Sequence, residues 1–313
     1  MNDRSLSRPV LLSIAAVERD TGLSKDTLRV WERRYGFPRP QRDGFGERAY
    51  PLEQVEKLRV VKRLMDAGHR PGRIVDQPIE RLLELGETRG AVPLALRGAA
   101  LVPAPDLRAY IDLVRAHDVD ALRCRLVQAQ LRLGLERFIA ELVAPLNALV
   151  GDSWMRGHLE IFEEHLYTES LNGVLRSAIA ALPPPEAGAR PRVLLTTFPN
   201  ETHGLGLLMA EALLRLDGCR CVSLGTQTPV WDIVLAASAQ RSVVVALGFS
   251  SVLTPSVVTE GLAELRGKLP RSVEIWAGGT APVLSRRPTP GVTALPTLAQ
   301  IADETRRWRG ERD

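Results

Sequence analysis

Between Arg192 and Ala277 short apolar runs alternate with stretches of helical period, and no other feature of the chain restricts its fold as strongly. Strands are expected over 192–197, 219–224, 242–249 and 273–277, and helices over 203–217, 229–240 and 255–268. Short buried strands separated by helices make βαβ units and hence a parallel sheet. Ligands of such sheets sit outside the carboxyl ends of the strands, so the turns that follow the strands are where chemistry is to be sought. Asn200-Glu201-Thr202-His203-Gly204-Leu205-Gly206 comes directly after the first strand. It puts one imidazole where sheet meets helix. Glu201 is placed to fix the tautomer of that ring, and Gly204 and Gly206 let the backbone approach a bulky ligand. On these seven residues alone His203 reads equally as a metal ligand or as a polar helix-start residue. Two further small-residue turns fall at the same edge: Phe249-Ser250-Ser251-Val252-Leu253-Thr254-Pro255-Ser256 and Ala277-Gly278-Gly279-Thr280.

In this order, over residues 190–311, the turns resemble the cobalamin-binding Rossmann-like domain, which reads Asp-x-His-x-x-Gly, Ser-x-Leu and Gly-Gly. Here the three pieces are Glu201/His203/Gly206, Ser250/Val252 and Gly278/Gly279, with Glu for Asp and Val for Leu. The resemblance implies that His203 is the lower cobalt ligand, displacing the nucleotide base of the cofactor. It also implies that Ser250, Val252, Thr254, Gly278 and Gly279 line the slot for the displaced tail.

The amino-terminal end carries a different signal. A helical pattern opens at Ser13, Thr21-Gly22-Leu23 breaks it, and Ser24 is a good N-cap for a second helix, Lys25–Tyr35. Two helices around a short glycine-containing turn are a helix-turn-helix arrangement. Leu28 and Trp31 point inward at i, i+3, with Tyr35 also expected in the core, which leaves Lys25, Thr27, Arg29, Arg33 and Arg34 mostly outside. Phe37–Tyr50 reads as a β-wing with Asp43-Gly44 as a hairpin turn signal, and 52–67 as a long amphipathic helix. Residues 10–76 thus resemble the winged helix-turn-helix domain of the MerR family, whose Thr-Leu-Arg-x-Trp-Glu-Arg-Arg-Tyr-Gly core is present at 27–36. By that resemblance helix 25–35 enters the major groove of double-stranded DNA. Thr27 and Arg29 are then placed to read base edges, while Arg42 and Arg48 of the wing, with Tyr50, contact flanking backbone.

Between these halves, after a Pro/Gly/Ala-rich connector over 77–104, helices are expected at 106–117, 118–133, 135–151 and 158–181, with Pro145 kinking the third. Trp154, followed by Glu164-His165, resembles the signature of the helical cap over the upper face of cobalamin in the CarH/LitR regulators. That resemblance implies that the indole shields the axial group and that Glu164 and His165 hydrogen-bond an adenosyl moiety. On the residues alone the favoured reading is an ordinary bundle-core tryptophan and a surface Glu-His pair. Light-sensing members commonly carry a His after this Trp, and here the residue is Met155. A thioether does not replace imidazole straightforwardly, so a photoreceptor role is the part of the resemblance that this departure weakens.

The expected fold class is multidomain: a winged helix-turn-helix at 1–76, a four-helix bundle at 105–182 and an α/β Rossmann-like parallel-sheet domain at 190–311. A net charge of +4 is compatible with DNA, and Cys124, Cys219 and Cys221 have neither disulfide-framework nor zinc spacing. No apolar stretch at the amino terminus reaches signal or membrane-spanning length, so a cytoplasmic, non-membrane protein is expected. As a whole the chain resembles a cobalamin-responsive, DNA-binding transcriptional regulator, not an enzyme, with adenosylcobalamin as cofactor and a homo-oligomer, dimer or tetramer, as the DNA-binding form. Two alternatives stay open: a corrinoid methyl-carrier protein, and a cofactor-free MerR-like regulator that senses another ligand or a protein.

Overall fold

A computed structural model describes residues 11–44, 46–66, 69–87, 106–155, 157–186, 188–250 and 253–310. The chain divides into two compact units. One holds the described residues of Met1–Gly98 together with Asp152–Leu159, and the other those of Ala99–Gly151 and Glu160–Asp313.

In the first unit β1 (Leu11–Ser13) leads into α1 (Ile14–Thr21) and α2 (Lys25–Tyr35). The Ser13 and Ser24 hydroxyls accept from the amides of Ala16 and Thr27, which supplies partners for the otherwise orphaned first-turn donors of both helices. The wing follows as β2 (Gln41–Arg42) and β3 (Arg48–Pro51), with β3 central between β1 and β2 in an antiparallel sheet. Asp43 closes the hairpin by accepting the Glu47 amide at 2.8 Å. Then come α3 (Leu52–Asp66) and α4 (Ile79–Glu87). The expected connector over 77–104 is therefore corrected at its start. Ile79, Leu82 and Leu83 recur at i, i+3, i+4, so α4 buries an apolar stripe in the core that also holds Leu28, Trp31 and Leu58. The rest of the connector, from 88 to 104, lies outside the described residues.

In the second unit α5 (Arg108–Arg115), α6 (Val119–Leu133), the single turn α7 (Leu135–Arg137), α8 (Ala144–Met155) as far as Gly151, and α9 (Ile161–Ala180) form the bundle. Leu122, Leu126, Ala129 and Leu133 make the buried stripe of α6. A π-helical turn spans Phe138–Val143, just before the position of Pro145 at which a kink is expected. The wider turn accommodates a residue that has no amide donor and whose ring crowds the preceding carbonyls. The fourth helix starts later than 158, because α8 ends at Met155 and Gly157 turns the chain at φ 72°.

The remainder is β4 (Arg192–Thr196), α10 (Leu205–Leu216), β5 (Arg220–Ser223), α11 (Val230–Ala239), β6 (Val244–Phe249), α12 (Pro255–Lys268), β7 (Glu274–Gly279), α13 (Val283–Arg286), β8 (Thr293–Leu295) and α14 (Gln300–Gly310). The strands form a parallel sheet of order β5-β4-β6-β7-β8. Alternate residues separate its two cores. Val193, Leu195, Val244 and Trp276 face α10 and α14, whereas Leu194, Val245, Leu247 and Ile275 face α11 and α12. α9 packs on α10, so the bundle is seated on the helix that follows the His203 turn.

Candidate functional site

The strand order reverses between β4 and β6, the two strands whose carboxyl ends carry the His203 and Ser250 turns. Connections leave a crevice at such a switch point. There Glu201, at 0% side-chain exposure, accepts four hydrogen bonds. Oε1 takes the amide and Nδ1 of His203 at 3.1 and 2.8 Å, and Oε2 takes the amide and hydroxyl of Ser250 at 2.7 and 2.8 Å. Burial opposes ionisation of Glu201, yet the bonds from His203 and Ser250 outweigh it and hold the carboxyl below its usual range. An ionised carboxylate is acceptor-only, so Nδ1 of His203 is the donor in this contact. The ring itself is 59% exposed. An imidazole whose Nδ1 is oriented by a buried carboxylate is the donor set of metal-bound histidines, so these residues fit a metal-bearing cofactor.

The surrounding turns are braced in ways that the sequence reading missed. Thr197 Oγ1 donates to the Glu201 carbonyl at 2.7 Å and accepts the Gln227 amide at 2.8 Å. Thr196 Oγ1 lies 2.7 Å from Thr228 Oγ1 and donates to the Gly225 carbonyl. The turns after β4 and β5 are thus tied together by two threonines; their signal was a polar pair ending an apolar strand. Gly279, at φ 115°, lies against β6: a Cβ there would stand 2.1 Å from the Phe249 carbonyl oxygen. Gly278 and Gly279 end β7 beside Gly248 and Phe249, and Thr254 is the exposed N-cap of α12. Gly206 is exposed in the first turn of α10, with nothing described within 4 Å of the place a Cβ would take. Val252 lies outside the described residues.

The three proposed cap residues are divided between the two units. Glu164 and His165 belong to the second, at the start of α9, where His165 Nδ1 and Thr168 Oγ1 each lie 2.7 Å from a Glu164 oxygen. Trp154 belongs to the first unit, with the Arg63 guanidinium 5.2 Å over its ring and its Nε1 buried without a hydrogen-bond partner among the described residues. The described residues of Asp152–Leu159, expected in the bundle, therefore cluster with the winged head. The physical reason is the packing of the indole on α3. Nothing in the sequence marked Arg63 as its partner.

In the head, α2 presents Arg29, Arg33 and Arg34 to solvent. Lys25 and Thr27 are partly engaged at the helix start, by Glu18 at 3.6 Å and by the Ser24 hydroxyl at 2.8 Å. Arg42 is exposed on the wing and donates to the Gly46 carbonyl at 2.6 Å. Arg48 is half-buried, bonded to Glu32 at 2.9 Å, and joins wing to α2. The DNA contact expected of Tyr50 is corrected. Tyr50 sits on the central strand with 0% exposure, packed in the core with Leu28 and Val55, and burial pushes its phenol up.

Comparison with known proteins matches the same two regions. The MerR HTH family regulatory protein family matches residues 12–76, and the B12 binding domain family matches residues 107–178. The HTH-type transcriptional repressor CarH of Myxococcus xanthus is 31% identical over 264 residues, covering 83% of this chain and 86% of its own length. The HTH-type transcriptional repressor CarA of the same organism is 33% identical over 246 residues, 78% of each chain. Among solved structures, the Methanosarcina barkeri monomethylamine corrinoid protein is similar in fold, with a TM-score of 0.50 and 16% identity over 63% of this chain and 94% of that one. No helix among the described residues is long and apolar enough to cross a membrane. With a winged head in the amino-terminal part, a match to the B12 binding domain after it and a relative above 30% identity over most of both chains, the chain belongs to the CarH-like family of MerR-type, cobalamin-responsive transcriptional regulators.

Proposed function

We propose that this chain is a cytoplasmic repressor-type switch whose trigger is adenosylcobalamin held at the β4/β6 crevice, and whose output is an oligomer that grips DNA through several winged heads. The observation that carries the reading is the buried Glu201 carboxylate shared between His203 and Ser250. When bound, the cofactor would supply a cobalt able to accept a nitrogen donor from the protein. Because Nδ1 of His203 is turned to Glu201, the nitrogen offered to that metal is Nε2. Ser250 and the amide of His203 hold the carboxylate in place, so the ring meets the ligand already oriented. Gly206, Thr254, Gly278 and Gly279 would leave room for the nucleotide tail, and Glu164 and His165 would hydrogen-bond an adenosyl moiety.

On DNA, Arg33, Arg34, Arg42 and Arg48 supply phosphate contacts with Lys25, while Arg29 and Thr27 face the bases. A ligand changes DNA affinity only by binding one arrangement of the protein better than another, and linked heads multiply that difference through effective concentration. Adenosylcobalamin added in the dark is therefore expected to raise both the mass measured by light scattering and the affinity for operator DNA. Full loading without a change in either would overturn the proposed output. Green light on the same sample tests the photoreceptor role: with Met155 after Trp154, loss of DNA binding on illumination supports it, and unchanged binding leaves a switch set by ligand occupancy.

A further inference from the structure

We propose that Val30 is a specificity-determining residue that reads the 5-methyl group of a thymine in the major groove. The inference rests on the placement of α2 as the groove-entering helix. Asp26, Arg29, Val30 and Arg33 are exposed at i, i+3, i+4 and i+7, so they form one continuous stripe along α2. Val30 stands in the middle of that stripe and is 42% exposed. It packs into no described core, whereas Leu28 and Trp31 carry the inward face.

Its neighbours are charged. Arg29 and Arg33 flank it, Arg34 adjoins it, and Asp26 holds Arg29 through a contact of 3.2 Å. A stripe with this much positive charge is complementary to a phosphate-lined groove. Within the groove the methyl group of thymine is the largest apolar feature of the base edges, well beyond the small C5–H of cytosine, and so is the best-matched partner for an apolar side chain on the reading face. A β-branched residue also lowers helix propensity relative to alanine, so exposure of Val30 on a helix brings the isolated fold no gain. The structure thus assigns Val30 to recognition rather than to folding. Thr27, engaged at the helix start by Ser24, is left the smaller share of base reading.

The test uses the full-length protein and a pool of random duplexes from which the preferred site is selected. Each thymine of that site is then replaced singly by deoxyuridine, which lacks only the methyl group. For the unsubstituted protein, one thymine in each half-site is expected to show a loss of about three- to five-fold in affinity, the size expected for one buried methyl group. Val30→Ala, which replaces an exposed side chain by a better helix former, is expected to keep its melting temperature and to bind the thymine and deoxyuridine duplexes equally at that position. If no thymine shows a methyl dependence that disappears in Val30→Ala, the assignment of Val30 is overturned while the DNA-binding head stands. If the pool yields no preferred sequence, the placement of α2 in the groove falls and takes this inference with it.

Discussion

A His203→Ala variant is expected to lose the imidazole-ligated absorbance spectrum of the loaded protein and to bind adenosylcobalamin at least ten-fold more weakly, or in a form that keeps its own nucleotide base. The substitution removes the donor nitrogen. It also deprives the buried Glu201 of one of its four hydrogen bonds, that from Nδ1, and leaves the other three. A carboxylate at this depth is costly to leave with fewer partners, so part of the loss is expected as lower thermal stability even without ligand. Glu201→Ala separates orientation from ligation. It keeps the ring and removes its support, and outer-partner losses of this kind weaken metal binding about 10- to 100-fold. Absorbance titration of both variants against the unsubstituted protein checks the order; a His203→Ala protein with unchanged spectrum and affinity would exclude His203 as the ligand.

Gly279→Ala is expected to cost the sheet domain about 3 kcal/mol, the upper part of the range for a residue forced into a disfavoured backbone region with a steric clash. Two separate facts produce the effect. The φ of 115° is open to glycine and rarely to other residues, and the added Cβ would meet the Phe249 carbonyl oxygen at 2.1 Å. That carbonyl cannot swing away without disturbing the β6–β7 pairing at Phe249 and Gly279 and the Ala281 amide that it accepts. For a unit of this size the loss corresponds to a fall of about 6–12 °C in the melting transition of the sheet domain. Calorimetry of the variant checks it, and an unchanged transition would show that β7 does not end as described. Gly206→Ala is the internal contrast. With nothing described near its Cβ, it is expected to melt normally.

The candidate cofactor site was legible because its chemistry is local in sequence. Glu201 and His203 are two residues apart, and the alternation of strands and helices places Ser250 and Gly278 at the same edge once the strands are assumed parallel. What bonds across the edge was not legible: Thr197 to Gln227 is a contact between turns thirty residues apart, and no periodicity encodes it. Short elements escaped for a related reason. β1 and β8 have three residues each, too few to show a period, and exist because β3 and β7 offer an unpaired edge. α14 did carry a signal, Ile301, Thr305 and Trp308 at i, i+4 and i+7, which the strand–helix reading stopped short of using. Tyr50 shows the opposite failure. A tyrosine beside a basic wing was read as a DNA contact, whereas central-strand position decided its burial. Trp154 was read through its resemblance to a cap residue, and its packing against Arg63 depended on an element nearly a hundred residues earlier.

The most direct measurement of whether His203 ligates the cobalt is electron paramagnetic resonance of the protein loaded with adenosylcobalamin and converted to the Co(II) form, prepared once with natural histidine and once with histidine labelled with nitrogen-15. Coordination through His203 predicts that each cobalt hyperfine line, split in three by nitrogen-14, becomes split in two in the labelled protein, and that the change is absent in His203→Ala. A three-fold splitting that persists in the labelled protein would mean that the unlabelled base of the cofactor is the lower ligand and would contradict the account.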